Sequence, residues 1–144
     1  MRFVLRIFLV LMIAAGLAGC HRTADEAQVR EAIAASLSAA EAGHAGDAVN
    51  ALSDGFDGNV GQLDKRGLGN LIRVLAFRGR KIHALTGPVS VERRGERMIA
   101  TFTVTLAAGS GLLPDDAGAY RVESGWRKED GEWRCFTATW SRAL

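Results

Sequence analysis

Apolar positions along this chain change their spacing twice, and each change marks a different kind of element. The first stretch, Ile7 to Gly19, holds no charged residue and shows no periodicity. Beyond it the spacing becomes helical. Val29, Ile33 and Leu37 recur every four residues behind a Thr23–Glu26 pair with the spacing of a capping box, and Gly43 closes the segment. A second, shorter helix is expected from an N-cap at Asp47, with Val49, Leu52 and Phe56 on one face. A third starts near Asp64, gathers Leu68, Leu71, Ile72 and Leu75, and stops at Gly79, with Gly67 and Gly69 weakening its first turn.

After Gly79 the period falls to two. Lys81 to Arg93 reads as extended chain, broken or bulged at Gly87-Pro88, and Arg94-Gly95 supplies a hairpin turn. Met98, Ala100, Phe102, Val104 and Leu106 then alternate with Ile99, Thr101, Thr103 and Thr105. A loop containing Gly109, Gly111, Pro114, Asp115, Asp116 and Gly118 precedes a third strand, Ala119 to Lys128. Asp130-Gly131 is a strong hairpin signal, and Glu132 to Trp140 forms the fourth strand. Helices followed by consecutive antiparallel strands predict an α+β domain, with three N-terminal helices packed on a curved antiparallel sheet of four or more strands. A length of 144 residues suits one domain.

Charge changes this picture little until it is mapped along the chain. The 18 Lys and Arg include Arg2 and Arg6, so beyond Gly19 the 16 acidic residues face 16 basic ones. A neutral balance gives no basic stripe for nucleic acid, and no nucleic-acid partner is expected. The distribution is uneven, however. His21 to Leu63 holds seven acids and two bases, whereas Asp64 to Arg97 holds nine bases and three acids. That middle third is either a surface for anionic headgroups or an acidic partner, or a set of solvated bases pairing with the acidic first third.

Arg2 and Arg6 precede the uncharged run, whose 13 residues would span about 20 Å as a helix, short of a bilayer's hydrocarbon core of roughly 30 Å. The pattern fits a cleaved signal segment. Its end, Leu17-Ala18-Gly19-Cys20, resembles the lipobox of bacterial lipoproteins. The resemblance implies cleavage before Cys20, diacylglycerol on its sulfur and acylation of the new N-terminus. His21, rather than Asp, follows the Cys and favours the outer membrane, facing the periplasm. The expected organisation is a signal over residues 1–19, the lipidated Cys20 and a short tether over 20–24, and a single domain over 25–144. With Cys20 lipidated, Cys135 has no intramolecular partner and reads as a small buried hydrophobe.

The order of a long helix, a short helix, a third helix and a long-stranded meander, ending in Trp126-Arg127-Lys128-Glu129-Asp130-Gly131-Glu132-Trp133-Arg134, resembles the nuclear-transport-factor-2-like cone. Polyketide cyclases and ketosteroid isomerases share that fold. The resemblance implies a pocket between the inner sheet face and the helices. Registering the last hairpin on a two-residue turn puts Trp126 opposite Cys135, Ser124 opposite Thr137, Val122 opposite Thr139 and Arg121 opposite Trp140 in a cation–π contact. Tyr120, Ser124, Trp126, Thr137 and Thr139 then share a face suited to line such a pocket, or to fill a core with satisfied hydroxyls.

Enzymes of the resembled fold use a carboxylate base, sometimes with a Tyr donor. Asp54 or Asp57 with Tyr120 is the sharpest catalytic set the chain offers, although Asp54 and Asp57 also suit an element end followed by a turn. No metal site, nucleotide fingerprint or Ser–His–Asp arrangement is recognisable, and no cofactor is expected. The leading expectation is a membrane-anchored lipoprotein whose domain binds a small apolar ligand or an envelope protein without catalysis. The alternatives are an isomerase- or cyclase-like enzyme, and an interaction module forming a homodimer through its sheet.

Overall fold

The computed structural model describes residues 24–109 and 116–143. The expected signal segment, Cys20, the expected tether up to Thr23, and with it half of the expected capping box, lie outside them, whereas Ala24 opens the first helix. Helix α1 covers 24–41 and buries Val29 and Ile33, the two leading positions of its four-residue repeat. Gly43, at φ 76°, ends it in a Schellman arrangement: Gly43 N donates to Ala40 O (3.1 Å) and His44 N to Ala39 O (2.9 Å). The same geometry ends α3 at Gly79, through Gly79 N to Ala76 O and Arg80 N to Leu75 O.

The second helix is much shorter than its sequence suggests. Helix α2 is Ala45–Ala48 with His44 at the N-cap position, so Asp47 lies within it rather than capping it. Leu52–Gly58 is instead strand β1. The four-residue spacing of Leu52 and Phe56 satisfies a strand's period of two as well as a helix's 3.6, and Gly55 and Gly58 each cost a helix about 1 kcal/mol. Strand β2 (Leu63–Asp64) leads into α3 (Lys65–Phe77), which starts where expected and is capped by Asp64, its carboxylate accepting from Gly67 N at 2.6 Å. Ile72 is buried on α3, but Leu71 of the expected apolar face is turned outward.

Strands β3 (Lys81–Thr86) and β4 (Ser90–Arg94), separated at Gly87-Pro88, pair with different halves of β5 (Arg97–Gly109). Strands β6 (Asp116–Glu129) and β7 (Glu132–Arg142) complete a seven-stranded sheet ordered β2-β1-β7-β6-β5-β3, with β4 beside β5. The sheet is mixed rather than antiparallel, because β1 runs parallel to β7.

The last hairpin begins in the expected register, with Trp126 opposite Cys135 and Arg127 opposite Arg134. A bulge then shifts the pairing by one residue, so Gly125 meets Thr137, Ser124 meets Ala138 and Val122 meets Trp140. A Cβ on Gly125 would sit 3.0 Å from the Phe136 ring and 2.9 Å from Thr137 Cγ2, so a bare backbone is what admits the bulged residues. The slip turns Ala138 and Trp140 onto the core side and Thr137 and Thr139 onto the other. It also separates Trp140 from Arg121, and the ring that a guanidinium covers near this end is Tyr120, 5.9 Å beneath Arg142.

Two apolar clusters result. The larger joins Val29 and Ile33 of α1 to Phe56, Met98, Ala100, Trp126, Trp133, Cys135 and Ala138 on the sheet. The smaller joins Ala45, Ala48 and Ile72, with Ala39, Ala40, Leu68 and Ile82 packed around them.

Candidate functional site

At the end of the sheet carrying the β6–β7 turn, the space between α1 and the strands is filled. Met98 and Ala100 are fully buried there, and Trp126 and Trp133 nearly so. Ser124 and Trp126, expected either to line a pocket or to fill a core with satisfied hydroxyls, satisfy each other. Trp126 Nε1 donates to Ser124 Oγ at 2.9 Å, and that hydroxyl donates to Ala100 O at 3.4 Å. Tyr120 lies toward the opposite end, half-buried, opposite Val104 and Arg142. Of the five lining candidates, Tyr120, Ser124 and Trp126 therefore share a face, while Thr137 and Thr139 lie across the sheet from them.

The catalytic candidates do not converge with Tyr120. Asp54 is fully exposed on β1 and pairs with Lys65 Nζ at 3.2 Å. That lysine also donates to Leu52 O. Asp57 is exposed too, and its carboxylate accepts from Gly61 N at 2.6 Å, closing the turn after β1. Phe56, between them, takes the inward position.

A cleft of about 420 Å³ opens between the C-terminal end of α1, helix α3 and the start of β3. Glu41, Ile72, Ala76, Arg80 and Lys81 are among its walls. Glu41 is held by Ala84 N (2.7 Å), and Arg80 Nη2 donates to Ala108 O (3.1 Å). A mixed lining of small apolar side chains and a few fixed polar groups can accommodate a small amphiphile. Nothing in the spacing of Ala40 to Gly43 marks this cleft in advance, since it forms only when α3 packs on the end of α1.

Sequence reasoning also missed a highly connected charged group among the described residues. Asp25, in the first turn of α1, is 5% exposed. It accepts from Trp133 Nε1 (3.1 Å) and Arg93 Nη2 (2.7 Å), and it pairs with Lys128 Nζ (3.4 Å). Arg93 and Lys128 also lie over the Trp133 ring, at 5.8 and 5.6 Å. Arg93 and Trp133 are 68 and 108 residues away from Asp25, beyond any local motif.

On the outer face of the sheet, Arg97 and Arg127 cover the Phe136 ring at 5.0 and 5.1 Å. Arg127 Nε donates to Glu129 at 2.7 Å, and Ser53 Oγ donates to the same carboxylate at 3.1 Å. The bond from Arg127, and then that from Ser53, hold the Glu129 carboxyl below its ordinary pKa. Burial pushes the Cys135 thiol up to about 12, which suits the packing role expected of it. Among the described residues, no three His, Cys, Asp or Glu side chains converge as metal ligands.

No protein-family model and no curated protein matches the sequence. Solved structures do match the fold. A nuclear-transport-factor-2-like protein with a cystatin-like fold from Novosphingobium aromaticivorans superposes with a TM-score of 0.71 at 16% identity, covering 88% of this chain and 87% of its own. A candidate scytalone dehydratase from the same organism reaches 0.74 at 8% identity, covering 85% and 87%. A nuclear-transport-factor-2-like protein of unknown function from Pseudomonas putida reaches 0.66 at 18% identity, covering 83% and 87%. Identities this low speak to architecture and not to chemistry. The chain folds as a nuclear-transport-factor-2-like, cystatin-like α+β domain with a mixed seven-stranded sheet.

Proposed function

We propose that this protein is a lipid-anchored lipoprotein of the bacterial envelope, held at the periplasmic face of the outer membrane, whose domain binds a small apolar ligand or an envelope protein without catalysing a reaction. One observation carries the reading: Leu17-Ala18-Gly19-Cys20 stands directly behind an uncharged run preceded by Arg2 and Arg6. Among the described residues no helix is long and apolar enough to cross a membrane; in this reading attachment is through Cys20. Several acyl chains on that residue would give stable anchoring where one alone gives only marginal binding.

Binding is favoured over catalysis by the placement of the carboxylates. Asp54 and Asp57 are exposed on β1, where they engage Lys65 and Gly61. A general base must lie within hydrogen-bond reach of the proton it takes, in a place that excludes water. Among the described residues, the cleft between α1, α3 and β3 is a candidate pocket for a small ligand.

The test pairs location with turnover. In fractionated cells, the parent should sediment with outer membranes and Cys20→Ala should not. The purified domain should leave scytalone, the compound in one neighbour's name, unchanged. Turnover abolished by Asp57→Asn would replace the binding reading with the isomerase- or cyclase-like one.

A further inference from the structure

Helix α3 has an outer face that no other described residue covers. Phe77 is 94% exposed, Leu71 48% and Val74 44%. At 100° per residue these three fall within an arc of about 120°, away from the buried Gly69 and Ile72. Arg66 and Arg73 border that arc, and Arg78 continues it one turn on. No Asp or Glu occurs from Lys65 to Val91, a stretch holding six Lys and Arg.

The basic middle third of the chain thus divides into two groups. Lys65 pairs with Asp54, and Arg93 with Asp25. Among the described residues, no carboxylate pairs with Arg66, Arg73 or Arg78; Arg73 donates only to Asn70, at 2.8 Å. Unpaired guanidinium groups and unburied apolar side chains share one helical face.

We propose that this face, formed by Leu71, Val74 and Phe77 with Arg66, Arg73 and Arg78, docks on an anionic phospholipid surface. An interfacial helix needs apolar side chains to enter the headgroup–acyl boundary, with cations beside them to meet phosphates. Guanidinium suits the second task because it bridges phosphate oxygens in a fixed fork.

A bilayer is favoured over an acidic protein by its proximity, a point that rests on the lipoprotein reading. Cys20 lies four residues before Ala24, a reach of at most about 14 Å. The membrane is therefore the one surface always beside the domain, at high effective concentration. Helix α1 spans about 27 Å, and α3 packs at its C-terminal end through Ala39, Ala40 and Ile72. Docking by α3 adds a second contact at the end of α1 remote from the anchor, laying the domain on the bilayer.

The chain from His21 onward keeps both apolar clusters formed by the described residues. It should float with phosphatidylcholine vesicles containing phosphatidylglycerol and not with pure phosphatidylcholine, and added salt should weaken the binding. Arg66→Gln, Arg73→Gln and Arg78→Gln should each weaken it about fivefold. Phe77→Ser should weaken it about tenfold, with unchanged thermal unfolding.

Absence of flotation, equal flotation on both vesicles, or indifference to these substitutions would overturn the proposal. Equal affinity for soluble polyglutamate would overturn it too, in favour of an acidic protein partner. Palmitate incorporation at Cys20 reports the anchor independently, so either reading can fail alone.

Discussion

Replacing Asp25 probes how the domain holds its first helix. The carboxylate is almost wholly buried, whereas the side chains of Arg93 and Lys128 are 31% and 43% exposed. Removing one member of a fully buried pair costs about 3–5 kcal/mol. Here both cations can turn to water, so each lost pair contributes only about 0.5–1 kcal/mol. Trp133 Nε1 has no such escape, and an orphaned buried donor costs about 1–3 kcal/mol. Asp25→Ala should therefore destabilise the domain by about 3 kcal/mol. At roughly 4 °C per kcal/mol for a chain of this size, its Tm falls by about 12 °C. Asp25→Asn keeps an acceptor for Trp133 and should lose only about a third as much. Circular dichroism melts of the chain from His21 onward read both. A Tm within about 2 °C of the parent for Asp25→Ala would refute the assignment of Asp25 as the group tying α1 to β4, β6 and β7.

Three further outcomes follow from the sheet. Cys135 should resist a thiol reagent in the native chain from His21 onward and react once in denaturant; stoichiometric native labelling would contradict its burial. Ala138→Lys should cost about 3 kcal/mol or more, and Thr139→Lys less than about 0.5 kcal/mol, in urea unfolding; the reverse order would mean that the bulge is absent. Because Glu129 titrates below its ordinary 4.5 in the folded state, its contribution is present above that pH. It is lost as pH falls through the lower folded value. Urea midpoints above and below pH 4.5 should thus diverge more for the parent than for Glu129→Gln, and identical pH profiles would refute the Arg127–Glu129–Ser53 arrangement.

Much of the architecture was legible because one-face burial leaves a periodic trace. Helix α3, the β3–β4 break, strand β5 and the start of the last hairpin all follow local signals, such as Asp64, Pro88 and Asp130-Gly131. Strand β1 was not, since Leu52 and Phe56 fit either period and only the ladder to β7 decides between them. The bulge left a trace in Gly125, a bare position inside a strand, but its location depends on how Phe136 and Thr137 pack over that glycine. That single slip is what removes Thr137 and Thr139 from the face of Tyr120 and Trp126. Asp25 and the α1–α3–β3 cleft depend on contacts between distant segments and leave no local pattern.

The central claim, that this domain hangs from a lipidated cysteine, is tested most directly by the intact mass of the mature protein extracted from membranes. The account predicts a chain beginning at Cys20 and carrying the added mass of a thioether-linked diacylglycerol and an N-acyl group. A membrane-extracted chain that still begins at Met1, or one with an unmodified Cys20, would contradict it.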